Sequence, residues 1–441
     1  VAYAGGYSKL NNDVHAARNL HDAAYSSFPT RFPRRQRRTG GSRRGARPGL
    51  GAVPGLAWAQ AQAAPPFRLG ALNSITGVGG PYGPAMLEAI KIAIAEVNAA
   101  GGAAGRQIQL YAEDDQTKPD AAVLAVKKLI EINKAEAVVG IWPSSVGLAA
   151  MPITNAAGLI TMNTCGAPEM LTENKQGLAW MFQASNAVFG RAFAEVARQR
   201  GFKRPAVMAF NNSTFVGQAN YFRDAWREKG GDVSAFTVYE PNQTTYRTEL
   251  NKVLASKPDV ISLSAYRPDA TIILKEWFQT GQDCKFIMPG WTANEDLVKA
   301  LGKEATEGII SISNVAAHEH QAYKRFAAEF RKRTKREPDI FASQSYDMVI
   351  TLALAIEAAG ARADVAAING KIRAVTGAGG GEKVSGFAQG QALLRAGKPV
   401  DYDGASSRLD FGKQGETVPD FGVFDIRDGK LVLNEVIAGK V

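Results

Sequence analysis

Cysteine is nearly absent from this chain, with two residues, Cys165 and Cys284, among 441. They stand far apart, so no C-x-x-C pair exists, and neither a thiolate metal site nor a dithiol redox motif can be built. Two free thiols are expected rather than a disulfide. Histidine is scarce too, four in all. His318 and His320 flank Glu319 without a third ligand at helical spacing, so a solvated loop is expected there rather than a metal centre. No run of about 18 apolar residues occurs, which leaves no candidate transmembrane helix. A nucleotide fingerprint is missing as well. The loop Thr76–Gly83 (TGVGGPYG) has the placement of a phosphate cradle. Tyr82, however, stands where the dinucleotide pattern needs glycine, and no Gly-Lys-Ser/Thr follows. The loop is read as a turn that presents Tyr82. Nor is there a nucleophile elbow, because Pro143 replaces the glycine that Ser145 would need. No catalytic residue, metal or cofactor is expected.

The formal net charge of +10 points at first to nucleic acid. Its position argues otherwise. Residues 1–64 hold ten Lys or Arg and two acids, so they carry eight of those ten net charges. The remaining body is too close to neutral to create a phosphate-binding field. Within those residues a block of arginines, Arg34-Arg35-Gln36-Arg37-Arg38 and Arg43-Arg44, precedes a weakly apolar Gly/Ala/Pro stretch. Alternating small residues up to Ala64 close it. This order is that of a secretory signal: positive, apolar, small. The paired arginines resemble a twin-arginine signal, but no Phe-Leu pair follows, which leaves the export route open. Residues 1–64 are therefore expected to be a disordered leader and the mature protein periplasmic.

What the body does contain is repetition. Phe67–Asn73 reads as a strand and Pro84–Ala99 as an amphipathic helix stopped by Gly101-Gly102. Ile108–Ala112, Ala137–Ile141 and Leu159–Asn163 are further strands, separated by helices over Ala121–Asn133 and Ser145–Ala156. The pattern restarts at Pro205–Phe210 and continues through Val233–Tyr239, Val260–Ser264 and Phe286–Pro289. Strands alternating with helices predict an α/β protein with parallel sheets. Two successive sets predict two doubly wound lobes. Ligands bind such sheets at the carboxyl ends of their strands, so two facing lobes share one cleft, and a hinged binder follows.

Several residues past strand ends are candidates for that cleft. Trp142-Pro143-Ser144-Ser145 opens a helix, where hydroxyls and free amides suit a carboxylate; a plain helix cap is compatible with that role. Tyr82, Trp142, Phe215, Tyr266 and Trp291 place aromatic rings in loops after strands, which suits an apolar cavity. Glu113-Asp114-Asp115 is expected to cap the following helix rather than hold a cation. The basic run Arg331–Arg336 is expected to be a solvated helix end.

From about Phe67 onward, these stretches resemble the leucine/isoleucine/valine-binding type of periplasmic solute-binding protein. The resemblance is carried by Gly83–Gly105, Tyr111–Asp115, Ala137–Ser145, Leu159–Thr172 and Phe421–Asp425. It implies the type I periplasmic-binding fold, two α/β lobes joined by a three-stranded hinge. The first lobe would comprise 67–187 plus 315–405, the second 188–314 plus 406–441. It implies a receptor for an ABC importer that delivers a small solute to a membrane permease, as a monomer, without nucleic acid. In such proteins a first-loop tyrosine closes over the ligand, matched by Tyr82. A serine after the third strand binds the ligand carboxylate, matched by Ser144. The segment after the fourth strand completes that site, here Cys165, Gly166 and Ala167 without the expected threonine hydroxyl. A second-lobe tyrosine matches Tyr266. The acid that binds the ligand ammonium is replaced by Gly290, with Trp291 beside it. A branched-chain or hydrophobic amino acid is the expected ligand, with an aromatic or other apolar carboxylate lacking the amine as the alternative. A ligand-sensing regulator is the reading from another class.

Overall fold

The structure, a computed structural model, describes residues 64–314, 320–377 and 379–439. The leader reading, together with His318 and Glu319, falls outside them, apart from Ala64. The first half begins with β1 (Phe67–Asn73), α1 (Gly83–Ala99), β2 (Ile108–Asp114), α2 (Pro119–Glu131) and β3 (Ala137–Ile141). It continues with α3 (Ser144–Ala156), β4 (Ile160–Asn163), α4 (Glu169–Thr172) and β5 (Ala179–Met181). These five strands form one all-parallel sheet in the order β2-β1-β3-β4-β5. Strands β3 and β4 are buried along their whole length, as expected when helices cover both faces of a parallel sheet.

The chain then passes to the second half. There α5 (Asn186–Gln199), β6 (Pro205–Phe210), α6 (Ser213–Glu228), β7 (Phe236–Tyr239), α7 (Arg247–Ala255) and β8 (Val260–Ser264) follow. After them come α8 (Arg267–Thr280), β9 (Lys285–Pro289), α9 (Glu295–Leu301), α10 (Lys303–Thr306) and β10 (Ile310–Asn314). Back on the first half lie α11 (Gln321–Thr334), α12 (Ile340–Ala359), α13 (Val365–Val375), β11 (Glu382–Val384), α14 (Phe387–Arg395) and β12 (Val400–Tyr402). Last, β13 (Phe421–Arg427) and β14 (Lys430–Ile437) add two antiparallel strands to the second sheet. Its order is β14-β13-β10-β9-β8-β6-β7. The fold is α/β with two lobes.

The twenty-residue α12 explains how the late helices belong to the first lobe. It is buried at every position from Phe341 to Ile356, so it lies inside the core with neighbours on every side. Its one buried acid, Asp347, accepts hydrogen bonds from Tyr402 Oη (2.6 Å), Ala405 N (2.8 Å), Ser406 N (2.7 Å) and Ser406 Oγ (2.6 Å). That carboxylate straps the returning chain to the first lobe. Beyond the strap, Leu409 and Phe411 stay in the first lobe's core, and Phe411 meets Trp180 and Phe182 edge-on. Thr417 N still bonds Met181 O at 3.0 Å. Sequence reasoning placed the last crossing at 405/406. Burial of Leu409 and Phe411 moves it to the stretch between Thr417 and Phe421. Likewise α5 packs on α6 of the second lobe, while its first residue still donates Asn186 N to Gly166 O of the first lobe at 2.6 Å, so the first crossing lies at the start of α5.

Candidate functional site

The site grows from strand ends. At β3 the register against β4 shifts between Val138 and Ile141. Gly140 sits there at φ 79°, with Asn73 Nδ2 donating to its carbonyl at 3.0 Å. A Cβ on Gly140 would lie 2.6 Å from that nitrogen, so only glycine allows both the left-handed turn and the close approach. Such an irregularity re-aims the strand and sends Trp142-Pro143, a cis peptide, into the cleft, where α3 starts at Ser144. Thr164 follows β4 and Gln183 follows β5. From the second lobe, Thr214 and Phe215 occupy the first turn of α6, Tyr266 caps α8, and Trp291 lies just past β9. With Phe341 from the start of α12, these residues line one small enclosed space. About 10 Å³ remains in it, the order of a single water. The lobes are closed on each other.

Five rings wall this space: Trp142 and Phe341 from the first lobe, Phe215, Tyr266 and Trp291 from the second. Trp142 approaches Tyr266 with centroids 5.3 Å apart, and Trp291 approaches Phe341 at 5.7 Å, both across the cleft. Tyr82 seals one side. Its ring lies 5.2 Å from Trp142, and its hydroxyl donates to Trp291 O across the cleft at 3.2 Å. Burial pushes the Tyr82 hydroxyl up to about 12, against the pull of nearby Arg267. Burial likewise raises Tyr266, whose oxygen accepts from Asn212 Nδ2. Both rings stay neutral at ordinary pH.

The loop that carries Tyr82 is held by the acids at the end of β2. Asp114 accepts from Ile75 N, Thr76 N and Thr76 Oγ1. Asp115 accepts from Ser74 Oγ at 2.6 Å and Thr117 N at 2.7 Å. These acids fasten β1's loop to β2's rather than capping α2, whose N-cap is Lys118 without a side-chain bond. Among the described residues no group of three His, Cys, Asp or Glu could hold a metal.

Ser144 defines the polar pole. Its Oγ accepts from Gly166 N and Ala167 N, each at 3.1 Å. Two amides therefore polarise a hydroxyl whose proton is free to donate. Ser144 is also the first residue of α3, whose free first amides carry the helix's positive dipole end. This pole favours an anion. No charged side chain lines the space.

A wider groove of about 800 Å³ adjoins Tyr82 and Arg267. Along it Asp296 of the second lobe receives Arg267 Nη1 at 2.9 Å and Arg336 Nη2 of the first lobe at 3.3 Å. The basic run thus ends in a bridge between lobes rather than only in solvent.

The residues expected from sequence divide accordingly. Trp142, Ser144, Phe215, Tyr266 and Trp291 meet at one space, and Tyr82 closes it. Gly166 and Ala167 contribute amides to Ser144. Phe215 does so from within α6 rather than from a loop, because Asn212 caps the helix three residues earlier. Gly166 and Ala167, whose amides bond Ser144, stand outside the lining, and three more expected contacts do not reach it either. Ser145, the second residue of α3, is half-buried and outside the lining. Cys165 turns its sulfur into the core behind α3, where a Cβ on Gly147 would lie 2.5 Å from it. Gly290 packs against Ser313, with only 2.4 Å between its would-be Cβ and the serine's. Sequence reasoning missed Thr164, Gln183, Thr214 and Phe341. Thr164 stands beside Cys165 and Thr214 beside Phe215, next to residues whose place after a strand is plain from the sequence. Gln183 follows a three-residue strand too short to show a period. Phe341 arrives from a helix far along the chain.

Two hinged α/β lobes closing on an aromatic-walled space define a ligand-binding protein of the flytrap kind. The profile of the family described as Periplasmic binding protein matches residues 66–410, and the chain belongs to that family. Among curated proteins it is similar to a leucine-, isoleucine-, valine-, threonine- and alanine-binding protein of Pseudomonas aeruginosa. The two are 23% identical over 70% of this chain and 82% of the relative. Among solved structures it is similar to a leucine-binding protein from Thermotoga maritima. That match has a TM-score of 0.72 and 20% identity, over 84% of this chain and 98% of that one. It is also similar to a solute-binding protein of an ABC transporter from Rhodopseudomonas palustris in complex with benzoate. That match has a TM-score of 0.71 and 20% identity, over 85% and 97%. The family is one of binding proteins.

Proposed function

We propose that this protein is the extracytoplasmic receptor of an ABC importer for an aromatic or similarly apolar carboxylate that carries no amino group. The observation behind this reading is the lining itself: five rings, one anion-favouring helix start at Ser144, and no charged side chain. A buried ammonium without an anion costs several kcal/mol. Gly290, where the family resemblance expects the ammonium's acid, is too tightly packed against Ser313 to carry one. A carboxylate instead meets the Ser144 proton and the amides of α3. The benzoate-bound neighbour from Rhodopseudomonas palustris is in keeping with such a ligand. Delivery to a membrane permease, a periplasmic location and a monomeric state follow from the family reading.

A second reading is a branched-chain amino acid, which the name of the Pseudomonas aeruginosa relative favours. The experiment is thermal stabilisation of the full chain by a panel of amino acids and aromatic acids. Stabilisation by the acids alone supports the first reading. Stabilisation by leucine, isoleucine or valine alone replaces it with the second.

A further inference from the structure

Away from Ser144 the same space has a second polar face. Thr164 Oγ1, Gln183 Oε1 and Thr214 Oγ1 belong to residues that line it, and none has a hydrogen-bond partner. The three residues are 2%, 3% and 9% exposed. Other buried side-chain atoms, Ser262 Oγ and Gln218 Oε1 among them, also lack a partner, but these three belong to residues that share one space, and together they ask for a common partner. Their origin matters. Thr164 and Gln183 come from the ends of β4 and β5 in the first lobe, Thr214 from the start of α6 in the second. Only closure of the lobes brings them around one space.

We infer that Thr164, Gln183 and Thr214 form a specificity subsite for a hydroxyl group, so that the solute is a hydroxylated aromatic carboxylate. This rests on the carboxylate reading above. A carboxylate only accepts, so it can accept a hydrogen bond from a threonine hydroxyl but cannot satisfy an amide oxygen. Gln183 Oε1 needs a donor. An ammonium donates, but it brings a buried charge to a lining without an anion. A hydroxyl donates to Gln183 and accepts from a threonine at once, and it is neutral. Turning the Gln183 amide over leaves the match intact, since the hydroxyl then accepts from the amide and donates to a threonine. The space as it stands has room for about one water, so the lobes part to admit the aromatic body between the rings, with the acid at Ser144.

The test is calorimetric titration of the full chain with benzoate, 3-hydroxybenzoate and 4-hydroxybenzoate, repeated on Thr214→Val. At least one hydroxybenzoate binds roughly tenfold tighter than benzoate, the effect of leaving buried polar groups unpaired. Thr214→Val, the same shape without the hydroxyl, shrinks that ratio several-fold. Equal affinity of the wild-type protein for all three acids removes the subsite and leaves the carboxylate reading standing. An unchanged ratio in a folded Thr214→Val protein removes Thr214, and with it the three-residue assignment. If Thr214→Val does not fold, the wild-type ratio decides alone. Silence toward all three acids overturns the carboxylate reading and the subsite together.

Discussion

Ser144 and Gly290 decide the chemistry of the cleft between them. Ser144 holds two amides on its oxygen and keeps its proton for a ligand. Ser144→Ala removes that donor and leaves Gly166 N and Ala167 N without their acceptor. Ligand affinity should fall by about 1–3 kcal/mol, read as the dissociation constant by calorimetry; an unchanged constant would take Ser144 out of the site. Gly290→Asp does not restore an ammonium site. Its Cβ collides with Ser313, so the variant should lose stability, by about 1–3 kcal/mol as for other overpacked positions. Thermal melting measures the loss, and a folded, leucine-binding Gly290→Asp protein would contradict the packing argument. The contrast also shows what was legible at this scale. Ser144, Trp142 and Tyr266 could be named because they follow strands whose periodicity is plain. The inward turn of Cys165 could not, because nothing local tells which way a buried side chain packs behind a helix.

Elements β1, β2 and α12 show how acids inside the fold position the site. Asp115 ties the Tyr82 loop to β2, and burial pushes its carboxyl up to about 6 despite hydrogen bonds from Ser74 and Thr117. A carboxyl raised in the folded state contributes stability that is complete below the unfolded value near 3.8 and is lost as pH rises through 6. Asp115→Asn keeps the acceptor oxygen and removes the titration. Its melting temperature relative to wild type should therefore be highest near pH 7.5 and decline toward pH 4. A difference that does not vary with pH would refute the assignment. Asp347 plays the corresponding part for the returning chain. Asp347→Ala leaves Tyr402, Ala405 and Ser406 donors unpaired in the core and should cost about 3 kcal/mol or more, read by denaturant unfolding. The strands and most helices were visible in the sequence because parallel β-α units repeat two periodicities. The last crossing was misplaced because the residues that fix it, Leu409 and Phe411, lie in a stretch without any period. Only their contact with Trp180 and Phe182 shows where they belong.

At the scale of the whole molecule, rings, the Tyr82–Trp291 hydrogen bond and an ionic bridge join the two lobes among the described residues. Asp296 stands between Arg267 of its own lobe and Arg336 of the other. The pair with Arg336 is largely exposed and is worth at most about 1 kcal/mol. Asp296→Ala should thus speed ligand release only a few-fold in stopped-flow, with little change in the folded state. The cleft's main restraint is aromatic, and the cleft must open for any solute to enter. The feature on which the proposed ligand chemistry rests is a cleft without a charged lining residue, walled by rings, with the Ser144 helix start at one pole. Its most direct test compares 3-phenylpropanoate with phenylalanine by calorimetric titration of the full chain, since the two share a carbon skeleton and differ by the ammonium. On the reading of a cleft without charge, phenylpropanoate binds at least tenfold tighter. Tighter binding of phenylalanine would show that the cleft does accommodate an ammonium, and would contradict that reading.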